Sequence, residues 1–281
     1  MGHLLKKILS ESLTPDEISL VYSAFDVIGS IVIVKIPDAL NLKKQTIGNI
    51  ILQNVKPAKS VFAQTSAVQG DYRIRSLEFI AGEYNTITEY REHGCRFRVD
   101  VQNTYFSPRL STERLRIANL ISENEIIANM FAGVGTFSII IAKMNKTCKV
   151  YSIDSNPFAH EISVINTKLN RVEDKVVPIY GDAKDIIYNK IQGQCNRVLM
   201  PLPERSSEFV DSAVLALKGG RGMVHFFAHI RANTKNLALE NAEVAIETAF
   251  NKYKHQALHT RVVREVGPRL YQTVSDVYIS E

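Results

Sequence analysis

The sequence predicts an α/β fold in two domains: a small α+β domain over 1–110, then a Rossmann-like, doubly wound, mostly parallel sheet over 111–281 with an antiparallel hairpin at one edge. Three observations carry the prediction. Beyond residue 110, short β-branched apolar runs alternate with helical stretches of about 10–15 residues, the order that builds parallel βαβ units. Before residue 110, short apolar runs are separated by turn signals without that alternation. Near the middle, "ANMFAGVGTFSIIIA" sets Gly133 and Gly135 between an apolar strand and a helix, where doubly wound sheets bind their ligands.

In the first domain "GSIVIVKIP" (Gly29–Pro37), "KPAKSVFAQ" (Lys56–Gln64), "RSLEFIAGE" (Arg75–Glu83) and "RFRVDV" (Arg96–Val101) read as strands between turns. "TITEY" and "FRVDV" alternate with period two, as half-buried strands do. "LNLKKQTIGNIILQN" reads as one helix whose apolar face is Leu42, Ile47, Ile50 and Ile51. In the second domain "ERLRIANLI" is helical, "NEIIANM" a buried strand and "GTFSIIIAKM" the helix opened by the glycine turn. "KVYSID", "VVPIYGD", "RVLMPLP" and "GMVHFFAHI" follow as strands, with helices in "AHEISVINTKLN" and "SSEFVDSAVLALKGG". A last helix near Asn236–Lys252 precedes "HTRVVREVG" and "YQTVSDVYI", which read as the edge hairpin.

A chain of 281 residues with 45% hydrophobic content can bury a proper core. Its formal charge of +5 leans towards an anionic partner without requiring one. Cys95, Cys148 and Cys195 are odd in number and far apart, which supports neither a disulfide framework nor a metal site and makes a reducing cytosol the expected compartment. No apolar run approaches the length of a membrane span.

Gly133 lets the chain turn tightly, and Gly135 removes a Cβ that would block a close-lying ligand. Asp154 ends the next strand and Asp182 the one after, positions from which carboxylates reach a ribose diol and an adenine edge, with Phe131 packing on the ligand. The third glycine of the dinucleotide pattern is replaced by Ser138, no cations follow the turn to meet a pyrophosphate, and no G-K-[ST] is present. A ligand with ribose and adenine but no phosphate fits best, which points to S-adenosylmethionine (AdoMet). The alternatives are a nicotinamide cofactor and a turn that is only structural.

The run from "YRIRSLEFIAGEYNTITEYREHGCRFRVDVQNTYFSPRLSTERLRIA" through "NMFAGVGTFSI", "SIDSNP", "YGDAKD" and "RVLMPLPE" resembles the archaeal and eukaryotic tRNA (guanine-37-N1)-methyltransferases. A relative on the same scaffold, the aminocarboxypropyl transferase of the wybutosine pathway, usually lacks the "FSPRL" and "LP" elements. The resemblance implies a class I methyltransferase domain with AdoMet on Phe131, Gly133, Gly135, Asp154, Asp182 and Ala183, and Arg114 near its carboxylate. It implies a small domain that grips the tRNA anticodon stem-loop, a monomer, and no membrane. Longer relatives carry a further N-terminal domain that reads the outer corner of tRNA. This sequence begins too late to hold one, so tRNA selection is expected to rest on the stem-loop or on help in trans. Two positions depart from the pattern: Asn129 stands where the family usually has Asp, and Pro201 where it often has Asn. Pro201 offers only its carbonyl, while Leu202 and Pro203 keep the turn.

Methylation at guanine N1 needs a base for the N1 proton and a cation for the charge that spreads to O6. Glu113, in "STER" where the two domains join in the sequence, matches the base proposed for the family. A residue-level alternative is a first-turn acid that serves only its helix. The O6 cations are expected to be Arg73 and Arg75, two apart on a strand and so on one face. A base whose Watson–Crick edge is attacked must be unpaired, and Tyr105, Phe106 and Arg109 in "TYFSPRL" are placed to stack on or hold it. Basic residues in "NKYKHQ" and "RVVREVGPRL" are candidates for phosphate contacts.

Overall fold

The computed structural model describes residues 2–66, 70 and 72–280. The chain divides into two compact units, Met1–Arg109 and Leu110–Glu281.

The first unit opens with α1 (Gly2–Leu9) and α2 (Pro15–Leu20), neither of which is among the elements expected from the sequence, although Leu5, Ile8 and Leu9 recur at helical spacing in α1. The α2 start is locally encoded. Thr14 and Glu17 form a reciprocal capping box, and Pro15 occupies the first turn. β1 (Phe25–Ile28), β2 (Ile31–Val34), β3 (Ser60–Gln64) and β4 (Leu77–Gly82) form a sheet in that order; the β2/β3 pair is parallel and the others antiparallel. α3 (Lys44–Asn54) makes the β2-to-β3 crossover and covers the sheet with Ile47 and Ile51, which join Leu5, Leu9, Val32, Val61 and Ile80 in one core. The single helix expected from residue 40 does not form. Asp38–Lys43 is a 3-10 turn, and its tighter winding buries Leu40 while leaving Leu42 fully exposed, so Leu42 is not part of the apolar face. β5 (Ile87–Glu92) and β6 (Cys95–Asp100) make a hairpin whose two-residue turn, His93–Gly94, has positive φ at both positions. Cys95, Phe97 and Val99 point in, and Arg96 and Arg98 point out, with the expected period of two.

The second unit has the predicted architecture. It runs α4 (Ser111–Asn119), β7 (Ile126–Asn129), α5 (Thr136–Met144), β8 (Lys149–Asp154), α6 (Pro157–Leu169), β9 (Val176–Tyr180) and α7 (Ala183–Ile186). It continues through β10 (Arg197–Met200), α8 (Val210–Ala216), β11 (Gly222–Arg231), α9 (Lys235–Ala249), β12 (Lys254–Gly267) and β13 (Leu270–Ser280). The sheet order is β12-β13-β11-β10-β7-β8-β9; β11, β10, β7, β8 and β9 are parallel, and the β12/β13 hairpin closes one edge antiparallel. The chain leaves β7 towards β9 and returns to β10 on the other side, so the switch in strand order lies between β7 and β10. Ala128, Met130, Val198, Met200, Val224, Phe226 and Val277 form the core around that point. Among the described residues no helix is long and apolar enough to cross a membrane, and Cys95, Cys148 and Cys195 are buried free thiols.

Candidate active site

The glycine turn sits at the carboxyl end of β7, beside the switch point. Gly133 has φ +55° and Gly135, the residue that caps α5, has φ +87°. A Cβ on Gly135 would lie 2.7 Å from Ser163 Oγ. Asp154, at the end of β8, fixes the loop from outside: Gly133 N–H donates to its Oδ2 at 2.6 Å, and Asn156 N–H to its Oδ1 at 2.9 Å. Burial pushes the Asp154 carboxyl above its ordinary range in spite of both bonds. Ser138, in the place of the missing third glycine, is fully buried in a polar chain: Asn129 Nδ2 donates to its Oγ at 3.1 Å, and its Oγ donates to Ser152 Oγ at 2.9 Å. The neutral Asn129 thus does structural work behind the turn.

The neighbouring loops carry the other residues expected at the cofactor. Asp182 is exposed and caps α7 by accepting Lys184 N–H at 2.8 Å, with Ala183 buried beside it. Phe131 stands edge-on to Phe209, ring centroids 4.8 Å apart. Phe209, which no sequence signal marked, also carries Lys184 at 4.7 Å over its ring. After β10, Leu202 N–H donates to Met200 across Pro201, and Ser206 Oγ donates to the Met200 and Leu202 carbonyls at 3.0 and 2.8 Å. The proline therefore sits at the centre of a tight turn that needs no side-chain amide for its shape. Pro203 accepts from His229 N–H. These loops end adjacent parallel strands, so Phe131, Gly133, Gly135, Asp154, Asp182, Ala183 and Pro201–Pro203 share one end of the sheet. The set suits adenosine through Asp154 and Asp182, whose carboxylates keep lone pairs for hydroxyl or amino donors; the glycines' left-handed φ shapes the turn, and the side of Gly135 expected to face a ligand is filled by Ser163 and Ile139.

α4 carries Glu113 and Arg114, both almost fully buried. Glu113 Oε1 accepts two hydrogen bonds from Arg116, at 2.9 and 2.7 Å. Its Oε2 is buried, accepts no hydrogen bond among the described residues, and lies 3.5 Å from Arg261 Nη1. Burial pushes the Glu113 carboxyl up, and Arg116 and Arg261 only partly offset it. Leu110, which precedes α4, makes no side-chain cap, so Glu113 is not part of a capping box. Arg116, Asp276, His225 and Arg197, to which Glu113 connects, were not singled out in the sequence; only the i, i+3 spacing of Glu113 and Arg116 was visible there.

In the first unit Arg73 and Arg75 depart from the expected strand. They do not share a strand face: Arg73 is in a turn with φ +55°, and β4 begins only at Leu77. Asp71, beside them, lies outside the described residues. The Arg73 guanidinium stacks 3.9 Å over the Tyr105 ring. Arg75 Nη1 instead reaches Asp26 Oδ2 at 3.3 Å, and Arg109 Nε donates to Asp26 Oδ1 at 2.9 Å. Asp26 gathers two of the candidate cations and offsets part of their charge, and Phe106 is buried against Tyr90.

Residues 88–276 match the model of the TRM5/TYW2 methyltransferase domain, and residues 5–86 that of the TYW2 N-terminal domain. The tRNA (guanine(37)-N(1))-methyltransferase Trm5b of Pyrococcus abyssi is 38% identical over 261 residues, covering 92% of this chain and 75% of that protein. The tRNA 4-demethylwyosine(37)-methyltransferase Taw21 of Saccharolobus solfataricus is 35% identical over 260 residues, covering 92% and 94%. Among solved structures, the complex of aTrm5 and tRNALeu aligns with a TM-score of 0.85 at 33% identity, covering 100% of this chain and 79% of that one. Methanocaldococcus jannaschii Trm5 in complex with adenosine aligns with a TM-score of 0.80 at 34% identity, covering 98% and 80%. A buried acid on α4, strand-end carboxylates suited to adenosine and matches across both units agree: this chain belongs to the TRM5/TYW2 methyltransferase family.

Proposed function

We propose that the chain methylates N1 of guanosine 37 in the tRNA anticodon loop, using AdoMet, as a monomer in the cytoplasm. AdoMet would lie on Phe131, Gly133, Gly135, Asp154, Asp182 and Ala183, with Arg114 near its carboxylate, as the adenosine-compatible donor set and the adenosine complex of a relative support. When bound, it supplies a methyl group on a sulfonium, an electrophile that needs a lone pair to receive it. The N1 lone pair is tied up by a proton, so the chain's own task is to remove that proton and to hold the ring.

The observation that carries this reading is Glu113. It is a buried carboxylate with one oxygen anchored by Arg116 and the other without a hydrogen bond, its affinity for protons raised by burial. That is the condition of a general base able to act near neutral pH. Glu113 Oε2 takes the N1 proton as the N1–methyl bond forms. Arg73, carried on the Tyr105 ring, is the cation for O6, with Arg75 close behind. The first unit grips the stem-loop, with Tyr105 and Arg109 as its contacts to RNA; in the second unit Pro201, Leu202 and Pro203 are the substrate-binding candidates.

A second reading has one observation of its own, the match of residues 5–86 to the TYW2 N-terminal domain. On that reading the aminocarboxypropyl group of AdoMet is transferred instead. The sulfur product separates the two: S-adenosylhomocysteine supports methyl transfer, and methylthioadenosine overturns it. The direct test is mass spectrometry of nucleosides from tRNA incubated with the protein and labelled AdoMet. 1-Methylguanosine is expected from a transcript with guanosine 37 and nothing from its adenosine-37 counterpart; label in the latter refutes the target. Glu113→Gln should lower turnover about 10²–10⁴-fold with AdoMet affinity nearly unchanged.

A further inference from the structure

The second unit holds a continuous buried chain of polar groups that starts at Glu113 and ends back on the same helix. Arg116, half-buried on α4, presents a guanidinium fork to two carboxylates. Its Nε and Nη2 donate to Glu113 Oε1; its Nη1 and Nη2 donate to Asp276 Oδ2 and Oδ1 at 2.6 and 2.9 Å. Asp276, on β13, also contacts His225 Nδ1 at 2.6 Å, on the neighbouring β11. His225 is fully buried, and its other nitrogen, Nε2, meets Arg197 Nη1 at 2.9 Å, from β10. Arg197 in turn holds Glu125 at 2.6 and 2.9 Å and donates to the Leu120 carbonyl, the residue that ends α4.

The protons in this chain follow from the donors. An arginine can only donate, so His225 Nε2 must accept, and the imidazole is neutral with its proton on Nδ1. That proton goes to Asp276 Oδ1. Asp276 is thereby held at both oxygens, and the two-pronged contact it makes fixes the plane of the Arg116 guanidinium. Glu113 Oε1 then rests on a fork it does not itself orient. The charged groups facing Glu113 are Arg116 on its own helix, Arg261 from β12 and Asp276 from β13, with neutral His225 and then Arg197 behind Asp276.

We propose that Asp276 is a positioning residue for Glu113: acting through Arg116, it sets the direction of the free oxygen of Glu113 and shares the Arg116 charge, so that Glu113 is a stronger base than a carboxylate with an arginine to itself. The inference rests on the reading of Glu113 as the base. Without the Asp276 charge, Arg116 belongs wholly to Glu113 and favours its ionised form; without Arg116, burial dominates and the neutral form is favoured.

The opposite signs make the test. Single-turnover methylation of a guanosine-37 transcript is measured against pH, alongside AdoMet affinity and circular dichroism. Asp276→Asn is expected to move the acid limb of the profile to lower pH, by about one pH unit, with the plateau falling about tenfold. Arg116→Gln is expected to move the limb to higher pH. Asp276→Glu, which keeps the charge, should leave the limb in place. Limbs that stay at the wild-type pH in both Asp276→Asn and Arg116→Gln, or that move the same way, overturn the proposal. Failure of both variants to fold overturns it too, because it assigns the pair to the fold alone. Glu113→Gln measured in parallel separates the underlying reading: an active Glu113→Gln removes the base whatever the Asp276 variants do, whereas an inactive one with unmoved limbs refutes only the positioning role.

Discussion

Acidification should destabilise the second unit through His225, and the size of the effect follows from its surroundings. The ring is fully buried between Arg197 Nη1 and Asp276 Oδ1. Burial holds its pKa below the ordinary value of about 6.5, and the opposing pull of Asp276 does not restore it. The unfolded chain therefore binds a proton near pH 6.5 that the folded chain refuses. Stability from this site is fully present above that pH and is lost as pH falls below it. From pH 7.5 to 5.0 the loss is at most RT ln(1 + 10^1.5), about 2 kcal/mol, the limit reached if the folded state takes up no proton, against the roughly 5–15 kcal/mol that holds a typical domain. Asp276 titrates in a separate window. Burial opposes its ionisation, but Arg116 and His225 hold its carboxyl well below the usual range, so its contribution is lost only at more acid pH, below about 4. The assay is urea unfolding at pH 7.5, 6.5, 5.5 and 5.0, read by amide hydrogen exchange in β11, for the wild type and His225→Gln. The variant is less stable throughout, but its loss on acidification should be smaller than that of the wild type, by up to about 2 kcal/mol. Equal losses in the two proteins would refute the neutral, Nδ1-protonated imidazole.

Gly135→Ala should cost about 1–2 kcal/mol for a left-handed alanine and weaken AdoMet binding in titration calorimetry; removing the Ser163 hydroxyl as well should recover little, because φ +87° and not the contact sets the cost. Asp154→Ala takes away the acceptor of two backbone N–H groups as well as the proposed ribose partner, so AdoMet affinity should fall at least about tenfold, and an unchanged value would undo the ribose assignment. In the first unit Gly82→Ala should be far worse than Gly94→Ala in thermal melts. Both need positive φ, but a Cβ at Gly82 would run into the Lys59 carbonyl whereas at Gly94 it meets open space.

The second unit was legible because its elements announce themselves locally. "KVYSID" and "VVPIYGD" are β-branched runs that stop at an acid, and the glycine turn marks the switch point between β7 and β10 without any knowledge of the partner strands. The first unit was harder. α1 and α2 are short, and the Thr14–Glu17 box that starts α2 is followed by no long apolar stripe. Leu42 falls on a 3.6-residue period that places it on the core face, but its segment winds at three residues per turn. "YRIR" alternates as a strand does, but a positive φ at an arginine such as Arg73 has no sequence signature. In the candidate site, single residues at strand ends were readable, while His225 and Asp276, far apart in the chain, meet only because β11 and β13 pair in that register.

Two acids of the second unit are raised by burial, Asp154 and Glu113, and only one of them suits proton abstraction. Asp154 accepts a backbone N–H on each oxygen, from Gly133 and from Asn156, so a proton placed on either oxygen would weaken a bond that shapes the glycine turn. Its environment suits an acid that remains ionised and takes hydroxyl donors on its remaining lone pairs. Glu113 divides its oxygens instead. Arg116 holds Oε1, and Oε2 can receive a proton without giving up any hydrogen bond, so protonation costs the local structure little. Arg261, 3.5 Å from Oε2, favours the ionised form before the transfer and can follow the charge as it is lost, since its side chain is partly exposed. On the proposed reading the two environments suit similar carboxylates to different work, one to hold a ligand and one to move a proton. A swap of charge states at these two positions would therefore be expected to abolish different steps: Asp154→Asn the binding of AdoMet, Glu113→Gln the chemistry after it. A calorimetric titration beside a single-turnover assay would separate them, and loss of both steps in either variant would contradict the division of roles.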